Sequence, residues 1–301
     1  MQFLVTGDKV FSICPIVVYK LYAQTLCVKG RNMISSTSNQ QMKQVSALLK
    51  KAKERREKNA FVVEGTKMVQ EAPSKNLKAV YISESYEKNP EHKMFLKQLK
   101  ETCEKVHAIF EVVSDNVFKS VSDTQTPQGI LAVVSMPQYK LEDLFNGEHT
   151  HLLILESIQD PGNLGTMVRT GEGAGISGIL MNKTTVDLFN PKTIRSTMGS
   201  IYRVPFYITD DLKGTLNTLK KKEISLYAGH LKGEHFYTEE DYTSACGFLI
   251  GNEGNGLSDE IADMANTYIK IPMEGKVESL NAAISATLLM YEANRQRRKD
   301  K

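Results

Sequence analysis

An alternation in the second half of this 301-residue chain most constrains its fold. Short apolar runs at 152–157, 178–181, 204–208, 224–228, 247–250 and 268–271 read as strands. Between them, 163–173, 191–198, 212–221 and 257–264 read as helices, and a last helix runs from about 280 to 298. Asn190 before Pro191 is a good helix start, because Pro pre-sets the backbone of a first helical residue and Asn can cap it. Strands that alternate with helices build a parallel sheet covered on both faces. Such sheets bind ligands beyond the carboxyl ends of their strands. Chemistry is therefore expected in the loops after Ser157, Ile250 and Ile271.

The first half predicts a smaller α/β unit over residues 42–136. Residues 42–58 place Val45, Leu48, Leu49 and Ala52 on one face of a helix otherwise rich in Lys and Arg. Strands follow at 61–63, 79–82, 108–113 and 129–134, with helices at 66–72 and 91–104. Residues 137–150 are polar and form the linker to a second domain at 151–301. Two domains suit the length. Residues 1–41 are assigned to a disordered extension outside both domains, since Met33 opens a polar segment that resembles an ordinary chain start. The longest apolar run there, 10–19, is half of the roughly 20 residues a membrane helix needs. Neither the leading positive charge nor the cleavage site of a signal peptide is clear in the segment, where Asp8 and Lys9 precede the run. No membrane partner is expected.

The 4 Cys are far apart and form no CxxC pair, which argues against a disulfide scaffold and a Cys-based zinc site. A reducing cytoplasm is the expected compartment. The six His make no metal pattern, His149-x-His151 at the linker end included, so no metal is expected. Net charge is +3, yet residues 31–60 alone hold eight Lys/Arg against two Glu. Residues 291–301 hold five against two acidic residues. Two basic segments on an acidic body can meet a polyanion or can be solvated helix faces, and charge alone favours the second.

Gly173-Ala-Gly175-Ile-Ser-Gly178 matches the dinucleotide fingerprint by spelling only. A pyrophosphate needs a strand, then the glycines, then a helix amino terminus. Here the glycines close a helix and precede a strand, so they read as a helix stop. No phosphate-binding P-loop motif is present.

Three loops carry the signal. In the first, Asp160-Pro-Gly is turn chemistry directly after a strand, Asn163 can cap the next helix, and Arg169 lies nearly two turns on. In the second, Gly251-Asn-Glu253-Gly254-Asn-Gly256 puts three glycines around one carboxylate, which lets a ligand approach the backbone closely. In the third, Pro272 ends a strand, and Ser279-Leu280-Asn281 precedes a helix whose first turns carry Ala282, Ala283, Ser285 and Ala286.

Together, in this order, the loops resemble the SpoU (TrmH-type) RNA ribose methyltransferases of the SPOUT superfamily. The stretch from Phe61 through Glu64-Gly65 to Ala72, with Gln125-Thr-Pro127-Gln128-Gly129, resembles that family's small RNA substrate-binding domain. The resemblance implies a parallel α/β domain whose carboxyl-terminal segment threads a trefoil knot, an exception to ordinary topology. It implies S-adenosylmethionine as cofactor, with Gly251, Ile271 and Leu280 lining its site. It implies catalytic roles for Asn163, Arg169, Glu253, Ser279 and Asn281, and a homodimer in which Arg from one subunit reaches the other's site. The family assigns proton removal to the Arg, but a guanidinium is too weakly acidic to act easily as a base. Gripping a phosphate and stabilising the developing alkoxide suits it better. The activity implied is 2′-O-methylation of structured RNA. Ribosomal RNA is preferred. The alternatives are transfer RNA, a non-catalytic RNA-binding module of the same fold, and a base methyltransferase, which the Ser279-Leu-Asn281 loop disfavours.

Overall fold

The computed structural model describes residues 4–6, 9–11, 33–145 and 150–298. Near the amino terminus, β1 (Leu4–Thr6) pairs antiparallel with β2 (Lys9–Phe11). The apolar run at 10–19 lies mostly outside the described residues, as does His149.

The expected disordered extension 1–41 is corrected in two ways. It contains the antiparallel β1–β2 pair, and its last residues belong to the first domain. Ile34 is buried and bridges in parallel to Val113, its N–H donating to the Val112 carbonyl at 2.9 Å. Asn39 then caps α1 (Gln40–Lys50), its side chain accepting from the Gln41 and Met42 N–H groups. The single helix expected over 42–58 is two. Lys51 is extended at φ −126°, ψ 114°, and separates α1 from α2 (Ala52–Lys58).

The rest of the first domain is β3 (Ala60–Glu64), α3 (Thr66–Glu71), β4 (Leu77–Ser83), α4 (Glu84–Lys88), α5 (Lys93–Val106), β5 (Ile109–Val113), α6 (Asp115–Val121) and β6 (Ile130–Ser135). Its sheet has the order β3-β6-β4-β5, antiparallel except for β4 with β5. Strand alternation sends Val80 and Ile82 to one face and Ala79 and Tyr81 to the other. Met42, Val45 and Leu48 of α1 and Val117 and Phe118 of α6 cover the Tyr81 face.

The second domain runs β7 (His151–Leu155), α7 (Pro161–Ala174), β8 (Gly178–Asn182), α8 (Pro191–Thr197), β9 (Phe206–Thr209), α9 (Leu212–Lys221), β10 (Ser225–Gly229), β11 (His235–Phe236), β12 (Cys246–Ile250), α10 (Asp259–Ala262), β13 (Thr267–Lys270) and α11 (Ala282–Arg297). Seven parallel strands lie in the order β11-β13-β10-β12-β7-β8-β9. Leu153 and Leu155 face α7 and α11, while Leu152 and Ile154 face α9 and α10. Gly175 ends α7 in the left-handed conformation at φ 77°, so the glycine run there is a helix stop.

The two domains share one core and several polar joints. The Phe61 ring lies 4.8 Å from that of Phe189, and the Tyr202 hydroxyl donates to the Met68 carbonyl at 3.0 Å. Arg203 pairs with both Glu71 and Glu172. Arg55, one of the basic residues counted above, is only 3% exposed and is no part of a solvated face. Its guanidinium donates to the Leu48 and Leu49 carbonyls at 2.6 and 3.1 Å and to Asp187 at 2.5 and 3.0 Å.

Candidate active site

Strand order decides which loops meet. β12 lies beside β7, so the loops after Leu155 and after Ile250 are neighbours at the carboxyl edge of the sheet. β13 lies two strands from β12, across β10, at about 10 Å given ordinary strand spacing.

Glu253 joins the first two loops. Its carboxylate accepts from the Gln159 N–H at 2.9 Å, the Asp160 N–H at 3.0 Å and the Asn163 amide at 3.0 Å. Partial burial opposes its ionisation, but these donors outweigh burial and hold the carboxyl below the ordinary glutamate range. Asn163 carries the network to the third loop, its Oδ1 accepting from Asn281 Nδ2 at 2.9 Å. Asn281 also caps α11, accepting from the Ala283 and Ile284 N–H groups. Three of the five expected catalytic residues thus form one hydrogen-bonded chain across loops 90 and 118 residues apart in sequence.

The cap expected of Asn163 belongs to Asp160, whose carboxylate accepts from the Asn163 N–H at 2.8 Å. That bond foremost, with help from Lys192 at 3.2 Å, holds the Asp160 carboxyl below its usual range. Asn163 is thereby free to face the other loops.

Gly251 makes a close contact within its own loop. A Cβ there would stand 2.1 Å from the Gly256 carbonyl carbon and the Leu257 nitrogen. The loop folds back on itself, with Asn252 and Gly256 exchanging backbone bonds at 3.0 and 2.9 Å and Gly256 at φ 70°. The close approach is between two parts of the same loop. Asn252 and Glu156, which sequence reading did not single out, anchor this turn. Asn252 Nδ2 donates to the Ser157 carbonyl at 2.9 Å, and the Glu156 carboxylate accepts from Ser258 N and Oγ at 2.8 and 2.7 Å. Nothing in their residue types marks them apart from other surface polar residues.

Ile271 and Leu280 are half-buried and leave apolar surface at the same edge, while Ser279 is exposed and forms no hydrogen bond among the described residues. Arg169 is not brought to the network. It lies six residues beyond Asn163 on α7, about 9 Å along the axis and some 240° around it. It is exposed and unpaired among the described residues. No group of three or more His, Cys, Asp or Glu that could hold a metal occurs among them, and no helix there is long and apolar enough to cross a membrane.

The SpoU rRNA methylase family matches residues 150–291, and the MRM3-like substrate-binding domain matches residues 39–132. The 23S rRNA (guanosine(2553)-2′-O)-methyltransferase RlmP of Bacillus subtilis is 33% identical over 258 residues, covering 86% of this chain and 97% of that protein. The chain belongs to the SpoU methyltransferase family. A tRNA/rRNA methyltransferase of Synechocystis is 31% identical over 87% of this chain and 93% of its own length. Among solved structures, the AdoMet-bound rRNA methyltransferase of Sinorhizobium meliloti superposes with a TM-score of 0.79 at 28% identity, over 88% of this chain and 97% of that one. AviRb of Streptomyces viridochromogenes, also with AdoMet, gives 0.77 at 25% identity, over 87% of this chain and 100% of that one. This SpoU protein is an RNA methyltransferase whose methyl donor is S-adenosylmethionine. Membership implies the knotted carboxyl-terminal segment expected from the motifs.

Proposed function

We propose that this chain methylates a ribose 2′-hydroxyl of ribosomal RNA, as a homodimer in the cytoplasm, with its site built around Glu253. The observation that carries the reading is the Asn281–Asn163–Glu253 chain, which ties three loops into one surface at the carboxyl edge. The residues at that edge suit S-adenosylmethionine: Ile271 and Leu280 offer apolar surface to an adenine, and the exposed residues 274–279 bring polar groups. When bound, the cofactor supplies an electrophilic methyl group.

The chain's own residues then position and stabilise. Glu253 stays ionised and holds Gln159, Asp160 and Asn163 in register, and such fixed geometry is where most of the rate of a methyl transfer can come from. Asn281 fixes the start of α11, and Ser279 stands exposed just before it. Arg169 is exposed and makes no bond to its own Glu253 network, which favours the partner subunit's Arg169 as the group that grips the RNA phosphate and stabilises the developing alkoxide. Ile284 and Tyr291, 50% and 45% exposed on α11, with Val277 at 62%, provide an apolar surface for a second copy. The free, buried Cys103 and Cys246 accord with a reducing compartment.

Ribosomal RNA is favoured over transfer RNA by the activity named for the Bacillus relative. The intact polar network speaks against a module without activity. The test is methyl transfer from labelled S-adenosylmethionine to deproteinised 23S rRNA. Arg169→Ala should lower kcat by roughly 10²-fold or more. Lys there should rescue poorly, because it offers a point charge in place of a planar fork. Cofactor affinity by calorimetry should hold. A wild-type rate for Arg169→Ala would remove Arg169 from the reaction.

A further inference from the structure

Resting on the proposed role of Arg169, we infer that Arg203 is a positioning residue for the reaction: it occupies the one carboxylate on α7 that would otherwise capture Arg169, and so keeps the Arg169 guanidinium free for RNA.

α7 carries one basic and one acidic residue, Arg169 and Glu172. Three residues on a helix span about 4.5 Å of rise and leave some 60° between the two side chains, which makes them neighbours on one face. Opposite charges at that spacing attract and commonly pair. Here they do not. Arg169 is exposed and unpaired among the described residues, while Glu172 is half-buried and engaged elsewhere. Arg203, between α8 and β9, forks onto it. Arg203 Nε donates to Glu172 Oε1, and Nη2 donates to Oε2 at 3.1 Å. Both oxygens are thus taken by a planar, two-pronged donor, a geometry that Arg offers and Lys does not. Arg203 foremost holds the Glu172 carboxyl below its usual range, against partial burial, so Glu172 stays charged.

Arg203 is itself held from its other edge. Its Nη1 donates to Glu71 Oε2 of α3 at 2.8 Å. Gly199, at φ 96°, makes room for that carboxylate, since a Cβ there would collide with Glu71 Oε2. Two carboxylates, one from each domain, therefore fix one guanidinium. Without that guanidinium, Glu172 loses its partner, and the only other cation on its own helix is Arg169. An Arg169 turned onto Glu172 is withdrawn from the phosphate.

The test is methyl transfer from labelled S-adenosylmethionine to deproteinised 23S rRNA by the full chain at saturating RNA. Arg203→Met should lower kcat about fivefold, the upper end of what an ion pair at this exposure competes with. Cofactor affinity by calorimetry should hold. Adding Glu172→Gln to Arg203→Met should return kcat to within about twofold of wild type, although the joint to Glu71 is still lost and Tm stays lowered. Glu71→Gln breaks the charge link to the first domain and leaves the fork on Glu172, so it should keep kcat. Where Arg203→Met folds poorly, Arg203→Lys takes its place, because a Lys cannot fork onto both oxygens. Its kcat should fall and again recover with Glu172→Gln. An unchanged kcat in both Arg203 variants, or a double variant no faster than its parent, would overturn the inference; with Arg169→Ala still slow, the proposed function would stand. A raised KM for RNA, a salt slope lower by about 0.7 and no rescue by Glu172→Gln would also overturn it, by making Arg203 a phosphate contact in its own right. A wild-type rate for Arg169→Ala would instead remove the proposed role of Arg169, and the inference with it.

Discussion

If Arg169 serves the partner's site, two inactive variants should repair each other. Six residues of α7 separate Arg169 from Asn163, which is about 9 Å of rise and some 240° of rotation. Arg169 is exposed there and makes no bond to its own Glu253 network. Arg169→Ala lacks the phosphate grip in both sites of a dimer, and Glu253→Ala lacks the loop anchor in both. In a mixed dimer, one site combines Arg169 of one subunit with Glu253 of the other and is whole, while the second site lacks both. Random exchange of equal amounts gives half mixed dimers, each with one good site of two, so activity should recover to about a quarter of wild type. The assay is methyl transfer to 23S rRNA after co-refolding, or after exchange at dilution followed by concentration. Each parent alone should sit roughly 10²-fold down. A mixture no more active than its parents, with mixed dimers shown by mass, would refute action across the interface.

Other predictions follow from the same contacts. Arg55→Ala strands Asp187 and two carbonyls beside a site that is 3% exposed, a loss on the order of 3–5 kcal/mol. At about 2–4 °C per kcal/mol for a protein of this size, Tm should drop by roughly 6–20 °C, and a fall under about 2 °C would show the joint to be idle. Glu253 has a lowered folded pKa, so its loop anchoring is fully present above the ordinary glutamate value of 4.5 and fades as pH falls through the lower folded value. Amide protection factors at Gln159 and Asp160, corrected for the intrinsic pH dependence of exchange, should hold from about pH 7 to 5 and fall as the pH drops below the ordinary glutamate value. Glu253→Gln should remove this pH dependence. Gly251→Val must push the 256–257 backbone aside, so it should open the loop and weaken cofactor binding together. Weak cofactor binding with the loop intact by amide exchange would mean that Gly251 faces the cofactor after all.

Much of the fold was legible because its signals are local. Apolar runs such as 152–155 and 246–250 are buried on both faces, and parallel strands of that kind read as continuous hydrophobic stretches. Pro191 after Asn190 marked α8, and Gly175 marked the end of α7. The break at Lys51 was not legible, since the apolar stripe continues through it while the backbone does not. Short elements escaped too: α4, α6 and the two-residue β11 hold too few residues to show a period.

In the site, residue types and loops could be read, but partners could not. Asp160 and Asn163 are both good caps, and only the structure shows that Asp160 caps, leaving Asn163 for Glu253. Arg55 is one of eight basic residues in its segment, and composition cannot tell the buried one from the rest. Gly251 announced a close approach, and the fold of its own loop, which supplies one, could not be read.

The central claim is methyl transfer to a ribose 2′-hydroxyl, and the chemistry of RNA cleavage tests it directly. Deproteinised 23S rRNA is labelled by the protein with radioactive S-adenosylmethionine and then hydrolysed in alkali. A 2′-O-methyl group blocks attack on the neighbouring phosphate, so the label should appear in an alkali-resistant dinucleotide at one position of the RNA. Label released in mononucleotides would place the methyl group on a base, and no label in any RNA would contradict the account altogether.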